Sequence, residues 1–275
     1  IYNNINLAKR NSFGVVESAK ELVEFESAED LREYVVESKP QKWYILGAGN
    51  NTLFTSYYDG VLFTPVSRGI TTLGDDGVNV DIRVEAAYDW DSLVAWSVSA
   101  GLWGMENLSA IPSSVGAAPV QNIGAYGAEA KDVISVVEYF DTRTMEVVRL
   151  SNEECHFAYR ESIFKQVLKG VAIILAVEFR LSREPKPNLG YGDVIKEVEA
   201  RGGATLTNIR EAICAIRASK LPDPAVLGNA GSFFKNPIVE RSVAEELLHS
   251  YPEMPYYPVQ GDDSKVKLAA GWLID

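Results

Sequence analysis

Cysteine and histidine are almost absent from the 275-residue sequence, which contains two of each. Cys155 and Cys214 lie far apart in unrelated contexts, so they fit neither a disulfide framework nor a metal site, and we expect reduced thiols. A Ser-His-Asp triad or a histidine-rich metal centre would have to use His156 or His249. A structural or surface role is favoured for both. We therefore expect no metal site and a chemistry that works without imidazole.

Long apolar runs are also lacking, since none approaches the ~20 residues that a membrane span requires. The longest, VAIILAV at 171–177, has the length of a strand. The first residues show no apolar core followed by a small-residue cleavage site, so we expect a cytoplasmic protein. The net charge of −12 disfavours a nucleic acid or an anionic membrane surface as a partner.

Positive charges are outnumbered by negative ones, 26 to 38, but they are locally concentrated. Between residues 216 and 236, Arg217, Lys220 and Lys235 stand against Asp223 alone, which gives a local charge of three minus one, or +2. This basic island indicates a small anionic ligand, with chance clustering as the alternative.

The apolar pattern mixes strands and helices without a regular βαβ series, which predicts an α+β chain. The predicted strands are residues 43–47, 60–65, 81–86, 135–141, 145–150 and 170–181. The predicted helices are residues 28–38 with a Ser27–Asp30 capping box, a helix that Asp89 caps and Gly101 ends, a helix that Thr207 opens, and residues 243–250 with a Ser242–Glu245 capping box.

The last residues, VKLAAGWLID, predict the start of a helix with Leu268, Trp272 and Leu273 on one face and no stop signal. The first residue is Ile1 rather than methionine. Both ends therefore look like the limits of a fragment, and we expect exposed apolar surface along 268–273 that favours association.

A glycine-rich loop, LGAGNNTLF at 46–54, follows the first predicted buried strand. Glycines allow backbone amides to close on a phosphate, and asparagine tolerates left-handed geometry. A dinucleotide-binding Rossmann motif would need a glycine at Thr52 and a helix immediately afterwards. The loop therefore predicts a phosphate cradle of another kind, with an ordinary strand-turn as the alternative.

A second segment, NLSAIPSSVGAAPVQNIGAYG at 107–127, combines small residues with very few charges. Such a long irregular stretch is unusual inside a compact domain, and a flexible linker would be more polar. The composition is typical of backbone that lies against a large flat ligand and offers amide hydrogen bonds. A tightly packed structural crossover is the alternative.

The third pattern joins FAYRESIFK at 157–165 with GNAGSFFKNP at 228–237. Arg160 lies among aromatic residues and is suited to bidentate capture of a carboxylate, with an ordinary Arg–Glu surface pair as the alternative. In the second motif, the glycines and asparagines predict a turn that presents the hydroxyl of Ser232. We expect Phe233 and Phe234 to anchor that turn in the core.

In this order and spacing, five motifs resemble the UDP-N-acetylenolpyruvoylglucosamine reductases, a bacterial flavoenzyme family: LGAGNNTLF, AIPSSVGAAPVQNIGAYG, YRESIFK, SKLPDP and GNAGSFFKNP. The resemblance runs from about residue 10 to the end. GYGDV at 190–194 resembles the form of the family that carries a tyrosine-bearing substrate loop. The family's sequence continues beyond AAGWLID with a segment that holds a catalytic glutamate, so the resemblance implies a C-terminally truncated chain in which full turnover is doubtful.

The fold that the resemblance implies is the FAD-binding fold of the vanillyl-alcohol-oxidase (PCMH) type. It consists of two α+β subdomains, here 1–65 and 66–205, and an incomplete α+β substrate-binding domain, 206–275. The implied activity is NADPH-dependent, FAD-mediated reduction of UDP-N-acetylglucosamine enolpyruvate to UDP-N-acetylmuramate for peptidoglycan. It implies dissociable, non-covalent FAD, a bacterial cytoplasmic location and a monomer at full length. Another FAD oxidoreductase of the same fold and a non-catalytic nucleotide-binding remnant are the alternatives.

The resemblance also implies site residues. Arg160 matches the arginine that stabilises developing negative charge, and Ser232 matches the proton donor. Substrate contacts are implied for Tyr191, Lys220 and Asn236. FAD contacts are implied for Gly47, Ala48, Gly49, Asn50, Asn51, Thr52, Leu53, Ile111, Pro112, Ser113, Ser114, Gly116, Ala117, Gln121, Asn122, Gly124, Ala125, Tyr126 and Gly127.

Overall fold

The computed structural model describes residues 1–191, 194–231, 233–259 and 261–274, and the chain divides into two compact units, Ile1–Asn229 and Ala230–Asp275. The elements of the first unit are, in chain order, Tyr2–Asn6 (β1), Ser18–Phe25 (β2), Ala28–Ser38 (α1), Trp43–Ile45 (β3), Tyr58–Pro65 (β4), Ile70–Asp75 (β5), Asn79–Glu85 (β6), Trp90–Ser99 (α2), Gly124–Ala125 (β7), Ala128–Glu129 (β8), Ile134–Asp141 (β9), Glu146–Ser151 (β10), Ala172–Ser182 (β11), Val194–Glu199 (α3) and Leu206–Lys220 (α4). The second unit contains Ile238–Glu240 (β12), Arg241–Ser250 (α5), Tyr256–Val259 (β13), Asp262–Leu268 (β14) and Ala270–Ile274 (α6).

Strands β1 to β4 form a mixed sheet in the order β1-β2-β4-β3. β1 is antiparallel to β2, whereas β4 lies parallel to both β2 and β3. Helix α1 covers this sheet and buries Leu31 in a cluster with Phe63. The Ser27 hydroxyl accepts a hydrogen bond from the Asp30 amide, and the Asp30 carboxylate accepts one from the Ser27 amide, so the predicted capping box is confirmed.

The second sheet is fully antiparallel, in the order β10-β9-β11-β6-β5. Residues of β6 alternate between buried and half-exposed, with Val80, Ile82 and Val84 buried, as the period of two in a strand requires. This sheet carries the largest core of the molecule. Together with the mixed sheet and the surrounding helices, it confirms the predicted α+β class.

Helix α2 links this core to the small-residue segment 107–127. The Asp89 carboxylate accepts a hydrogen bond from the Ser92 amide, which confirms the predicted N-cap. Trp90 is fully buried against Phe179, and its indole N–H donates to the Leu108 carbonyl at 3.0 Å. Helix α4 begins at Leu206, one residue before the predicted start at Thr207, and its N-cap is Thr205.

In the second unit, helix α5 packs on a sheet of order β12-β14-β13. The predicted Ser242–Glu245 capping box is wrong, because β12 ends at Glu240 and the chain enters the helix directly at Arg241. The prediction of one terminal helix is also wrong for 266–268, which belong to β14. The alternation of Val266 and Leu268 with lysine has the period of a strand, and the helix begins only at Ala270.

The expected burial of Phe233 and Phe234 is wrong. Their side chains are 61% and 58% exposed, and the two rings stack on each other with centroids 4.4 Å apart. The core of the second unit lies between α5 and the sheet, whereas residues 233–237 belong to neither a helix nor a strand. Aromatic character alone therefore did not place these rings inside.

None of the helices within the described ranges has the combination of length and apolar character that crossing a bilayer demands.

Candidate active site

The glycine-rich loop 46–54 lies directly beside the small-residue segment 107–127. A Cβ added to Gly47 would lie 3.1 Å from the Ser114 hydroxyl oxygen and 3.9 Å from the Ala117 Cβ. Gly49 has a φ of +71°, and a Cβ there would lie 2.0 Å from the Arg10 carbonyl oxygen, so only glycine fits. The structure thus brings the first two predicted cofactor loops together, and the glycines permit their close approach.

Segment 107–127 is fixed to the core by its backbone. The Val115 amide donates to the Tyr88 carbonyl and the Gly116 amide to the Ala86 carbonyl, both at 2.9 Å. A Cβ on Gly116 would lie 2.7 Å from the Ala86 Cβ, which explains this glycine. Val115 is fully buried, as are Ala118 and Asn122, whereas most of the predicted cofactor residues between 111 and 127 remain half-exposed. The segment is therefore a packed crossover on one side and an accessible surface on the other.

Four non-glycine residues around these loops adopt left-handed backbone conformations: Ala110, Asn122, Tyr126 and Arg160, with φ between +44° and +57°. Such conformations cost about 1–3 kcal/mol each and require support from the surroundings. At Asn122, the side-chain amide donates to the Ala158 carbonyl and accepts from the Lys131 amide, both at 3.0 Å. Four of the eight left-handed non-glycine residues in the described ranges thus lie in the predicted cofactor and catalytic segments, and the other four lie elsewhere.

Ala110, the residue before the predicted flavin-lining stretch, is clamped from both sides. Its amide donates to the Asp91 carboxylate of α2 at 2.6 Å, and its carbonyl accepts from Arg217 Nε of α4 at 2.9 Å. Arg210, also on α4, makes a bidentate ion pair with Asp91 at 2.6 and 2.8 Å. Burial opposes ionisation of Asp91, but the Arg210 guanidinium and the Ala110 amide hold the pKa of this carboxyl below its ordinary value.

We expect Asp91→Asn to lower the free energy of unfolding by about 1–2 kcal/mol at neutral pH, because a half-buried ion pair loses its anion. The lowered pKa makes this stabilisation complete above the ordinary value of 3.8, and it is lost as the pH falls through the folded-state pKa. Urea unfolding at a series of pH values measures the difference. Glu211→Gln, at an exposed position of α4 next to Arg210, is the control. An Asp91→Asn deficit that stays constant below pH 3.8 contradicts this role.

Arg160 is directed toward the predicted cofactor segment. Its Nη2 donates to the Gly124 carbonyl at 2.6 Å, and its guanidinium carbon lies 6.0 Å from the centroid of the Tyr159 ring. Among the described residues, no carboxylate lies within ion-pair distance of this guanidinium, which argues against the Arg–Glu surface pair. The Gly124 bond uses one of the five guanidinium donors.

Tyr191, a predicted substrate residue, also contacts segment 107–127. Its ring packs edge-on against Tyr126, with centroids 5.9 Å apart. The chain before it is anchored by Asn188, whose side-chain amide donates to the Gly127 carbonyl at 3.0 Å. Asn107 donates to the carbonyls of Tyr126 and Asn188, at 2.7 and 2.8 Å. Gly192 and Asp193, also in the GYGDV motif, lie outside the described residues.

The remaining predicted residues are placed as follows. Lys220 is the exposed last residue of α4, one turn beyond Arg217. Asn236 belongs to the second unit, where its side-chain oxygen accepts a hydrogen bond from the Ala270 amide at 2.9 Å at the start of α6. Ser232 lies outside the described residues.

Neither cysteine and neither histidine lies within loop 46–54 or segment 107–127. Burial raises the pKa of the Cys155 thiol to about 12, and burial also raises that of Cys214. His249 contacts the Glu245 carbonyl within α5, and His156 is exposed. In the described ranges, no three His, Cys, Asp or Glu side chains are grouped in a way that could hold a metal ion.

The sequence did not predict a role for four residues that support the site: Asp91, Arg210, Asn107 and Asn188. Asn107 lies within the quoted small-residue segment, and its side-chain oxygen is buried without a hydrogen-bond partner. A buried acceptor without a partner beside a predicted cofactor loop fits a polar ligand, because such groups are otherwise almost always paired. The glycine cradle at Gly47 and Gly49 fits a phosphate-bearing ligand in the same way. The residues present are therefore compatible with FAD.

Comparisons with known proteins give a consistent result. Residues 19–151 match a family described as FAD binding domain. The UDP-N-acetylenolpyruvoylglucosamine reductase of Neisseria gonorrhoeae is 47% identical over 277 residues, covering 98% of this chain and 79% of that protein. The protein of the same name from Chromobacterium violaceum is 44% identical, with 99% and 81% covered.

Among solved structures, the UDP-N-acetylenolpyruvylglucosamine reductase of Thermus caldophilus superposes with a TM-score of 0.64 over 89% of this chain and 79% of that chain, at 23% identity. That similarity supports the predicted FAD-binding fold. At the identity and coverage of the Neisseria and Chromobacterium relatives, this chain belongs to the UDP-N-acetylenolpyruvoylglucosamine reductase family.

Proposed function

We propose that the protein catalyses the NADPH-dependent, FAD-mediated reduction of UDP-N-acetylglucosamine enolpyruvate to UDP-N-acetylmuramate, a step in peptidoglycan precursor synthesis. Membership of the reductase family supports this activity over the two alternatives. The structural observation that carries it is the hydrogen bond from Arg160 to Gly124, because it brings a guanidinium suited to a carboxylate against the segment that we assign to the flavin.

Loop 47–53 would hold the pyrophosphate of FAD through its backbone amides, and residues 111–127 would line its ring system. Bound FAD would supply the hydride, obtained from NADPH, that the terminal vinyl carbon of the substrate receives. The electron pair of the substrate's double bond moves onto the adjacent carbon and its carboxylate. Arg160 holds that carboxylate and stabilises the negative charge that develops there.

Ser232 donates its hydroxyl proton to the carbanion-like carbon, which completes the addition of hydride and proton across the double bond. A neutral hydroxyl is a poor acid, but it suffices against so basic an acceptor. Lys220 or Lys235 stabilises the alkoxide that remains. Tyr191 and Asn236 contact the sugar nucleotide, and Lys220 meets its diphosphate as a point charge.

We assign residues 1–65 and 66–205 to the two FAD-binding subdomains and 206–275 to the substrate-binding domain. We place the reaction in the bacterial cytoplasm and expect a full-length monomer whose partners include neither nucleic acid nor membrane. Sedimentation of the full-length protein and fractionation of the producing cell test these assignments.

An anaerobic absorption experiment tests the activity. We expect purified protein to show the spectrum of oxidised flavin, to lose it on addition of NADPH and to regain it on addition of the enolpyruvyl sugar nucleotide. Flavin that is reoxidised by oxygen but not by this substrate would indicate another oxidoreductase of the same fold. Protein with no flavin absorbance and no affinity for either nucleotide would indicate a non-catalytic remnant.

A further inference from the structure

A short turn near the N-terminus, residues 10–14, lies outside every motif assigned a role above. It is fixed internally by Asn11, a largely buried residue whose side-chain amide donates to the carbonyls of Leu7 and Val15 at 2.7 and 3.0 Å. The Asn11 side-chain oxygen accepts from the Val15 amide at 3.1 Å. Because a buried amide closes it at three points, this turn is a rigid support rather than a mobile terminus.

One side of the turn supports the pyrophosphate loop. The Ser12 amide donates to the Gly49 carbonyl at 3.2 Å, and the Ser12 hydroxyl donates to the Asn50 carbonyl at 3.1 Å. The Arg10 carbonyl occupies the space that a side chain at position 49 would need. The turn therefore supplies the hydrogen-bond donors for the Gly49 and Asn50 carbonyls of the loop.

The other side of the turn holds the chain that follows α4. The Asn229 amide donates to the Ser12 carbonyl at 2.8 Å. A Cβ added to Gly228 would lie 2.2 Å from the Phe13 carbonyl oxygen, so the two backbones are in direct contact. Along the sequence, Asn229 is followed three residues later by Ser232.

We infer that Ser12 is a positioning residue that couples the FAD pyrophosphate loop to the segment leading to the proton donor. Its amide, hydroxyl and carbonyl groups are all used in this connection. The inference rests on the proposed function, since it assigns FAD to the loop and proton donation to Ser232. FAD binding that fixes loop 47–53 should therefore also fix the backbone of residues 227–229, and a change at residues 227–229 should in turn alter FAD affinity.

Hydrogen exchange of the amides in residues 221–231, measured with and without FAD, tests the coupling. We expect FAD to protect these amides in the wild-type protein. Ser12→Ala removes only the bond to Asn50, so we expect FAD affinity to fall about 2- to 10-fold and the protection at saturating FAD to decrease. Ser12→Thr keeps the hydroxyl and restores both. If FAD at saturation protects these amides equally in wild type and Ser12→Ala, the inference is overturned. FAD would then protect residues 221–231 by contacting them directly rather than through Ser12.

Gly228→Ala approaches the coupling from its other end. The added methyl displaces the Phe13 carbonyl, and we expect FAD to bind about tenfold more weakly although residue 228 lies outside the FAD loop. Gly271→Ala, where nothing lies within 4 Å of the added carbon, is the control and is expected to bind FAD like wild type. If wild type binds FAD and turns over while Ser12→Ala and Gly228→Ala bind FAD equally well, the inference alone fails. If wild type binds no FAD, the proposed function fails.

Discussion

Replacement of Ser232 by alanine is expected to leave the reduction of FAD by NADPH near the wild-type rate and to slow its reoxidation by the enolpyruvyl substrate about 100- to 10,000-fold. The separation follows from the assigned role. Hydride transfer from NADPH needs no proton from this hydroxyl, whereas the carbon that receives a proton in the second half-reaction has no other assigned donor. Stopped-flow measurement of the two half-reactions under anaerobic conditions resolves them.

Ser219→Ala is a suitable control for that experiment, because the Ser219 hydroxyl donates to the Ile216 carbonyl within α4. We expect both of its half-reactions to proceed at wild-type rates. Two unchanged half-reactions in Ser232→Ala would remove this serine from the mechanism. Equal slowing of both would indicate damage to FAD binding instead.

The second large effect is expected for the variant Arg160→Met. We expect the half-reaction with substrate to slow by about 100- to 1,000-fold, because the variant lacks the charge to which we assign stabilisation of the developing carbanion and carboxylate. Arg160→Lys keeps a charge but loses the planar, forked geometry, so its rate is expected to lie between those of Met and wild type. Reduction by NADPH is expected to change little in either variant.

Arg160→Met also removes the hydrogen bond from Arg160 to Gly124. The variant could therefore slow the reaction by loosening segment 107–127 rather than by removing the charge. Lys165→Met separates the two contributions. The Lys165 ammonium donates to the Arg160 carbonyl at 3.0 Å, so this variant disturbs the same turn while keeping the guanidinium. A Lys165→Met defect as large as that of Arg160→Met would mean that the position of the turn matters and the charge does not.

The sequence predicted those features that depend on neighbouring residues. The Ser27–Asp30 capping box and the Asp89 N-cap are local patterns, and both are confirmed. The glycine-rich loop and the small-residue segment were also recognisable, because close backbone approach demands a run of small side chains. Their placement next to each other at Gly47 and Ser114 agrees with a shared ligand, whereas the roles of individual residues stay a prediction.

What could not be predicted depends on contacts between residues far apart in the sequence. The Asp91–Arg210 ion pair spans 119 positions and the Arg217–Ala110 bond 107, and no local pattern marks either. The order of strands in the two sheets is of the same kind. The predicted burial of Phe233 and Phe234 was wrong for a different reason. Two adjacent aromatic residues indicate an apolar surface, but they do not indicate which part of the chain covers it.

The buried thiol of Cys155 has a consequence for the protein's lifetime in an aerobic cell. A reduced flavin that meets oxygen releases peroxide, and the form of cysteine that peroxide attacks is the thiolate. With a pKa of about 12, Cys155 holds its proton at any physiological pH, and the surrounding core shields its sulfur. We therefore expect this sulfur to stay unreactive toward peroxide while the protein is folded and to become open to oxidation only when the core opens.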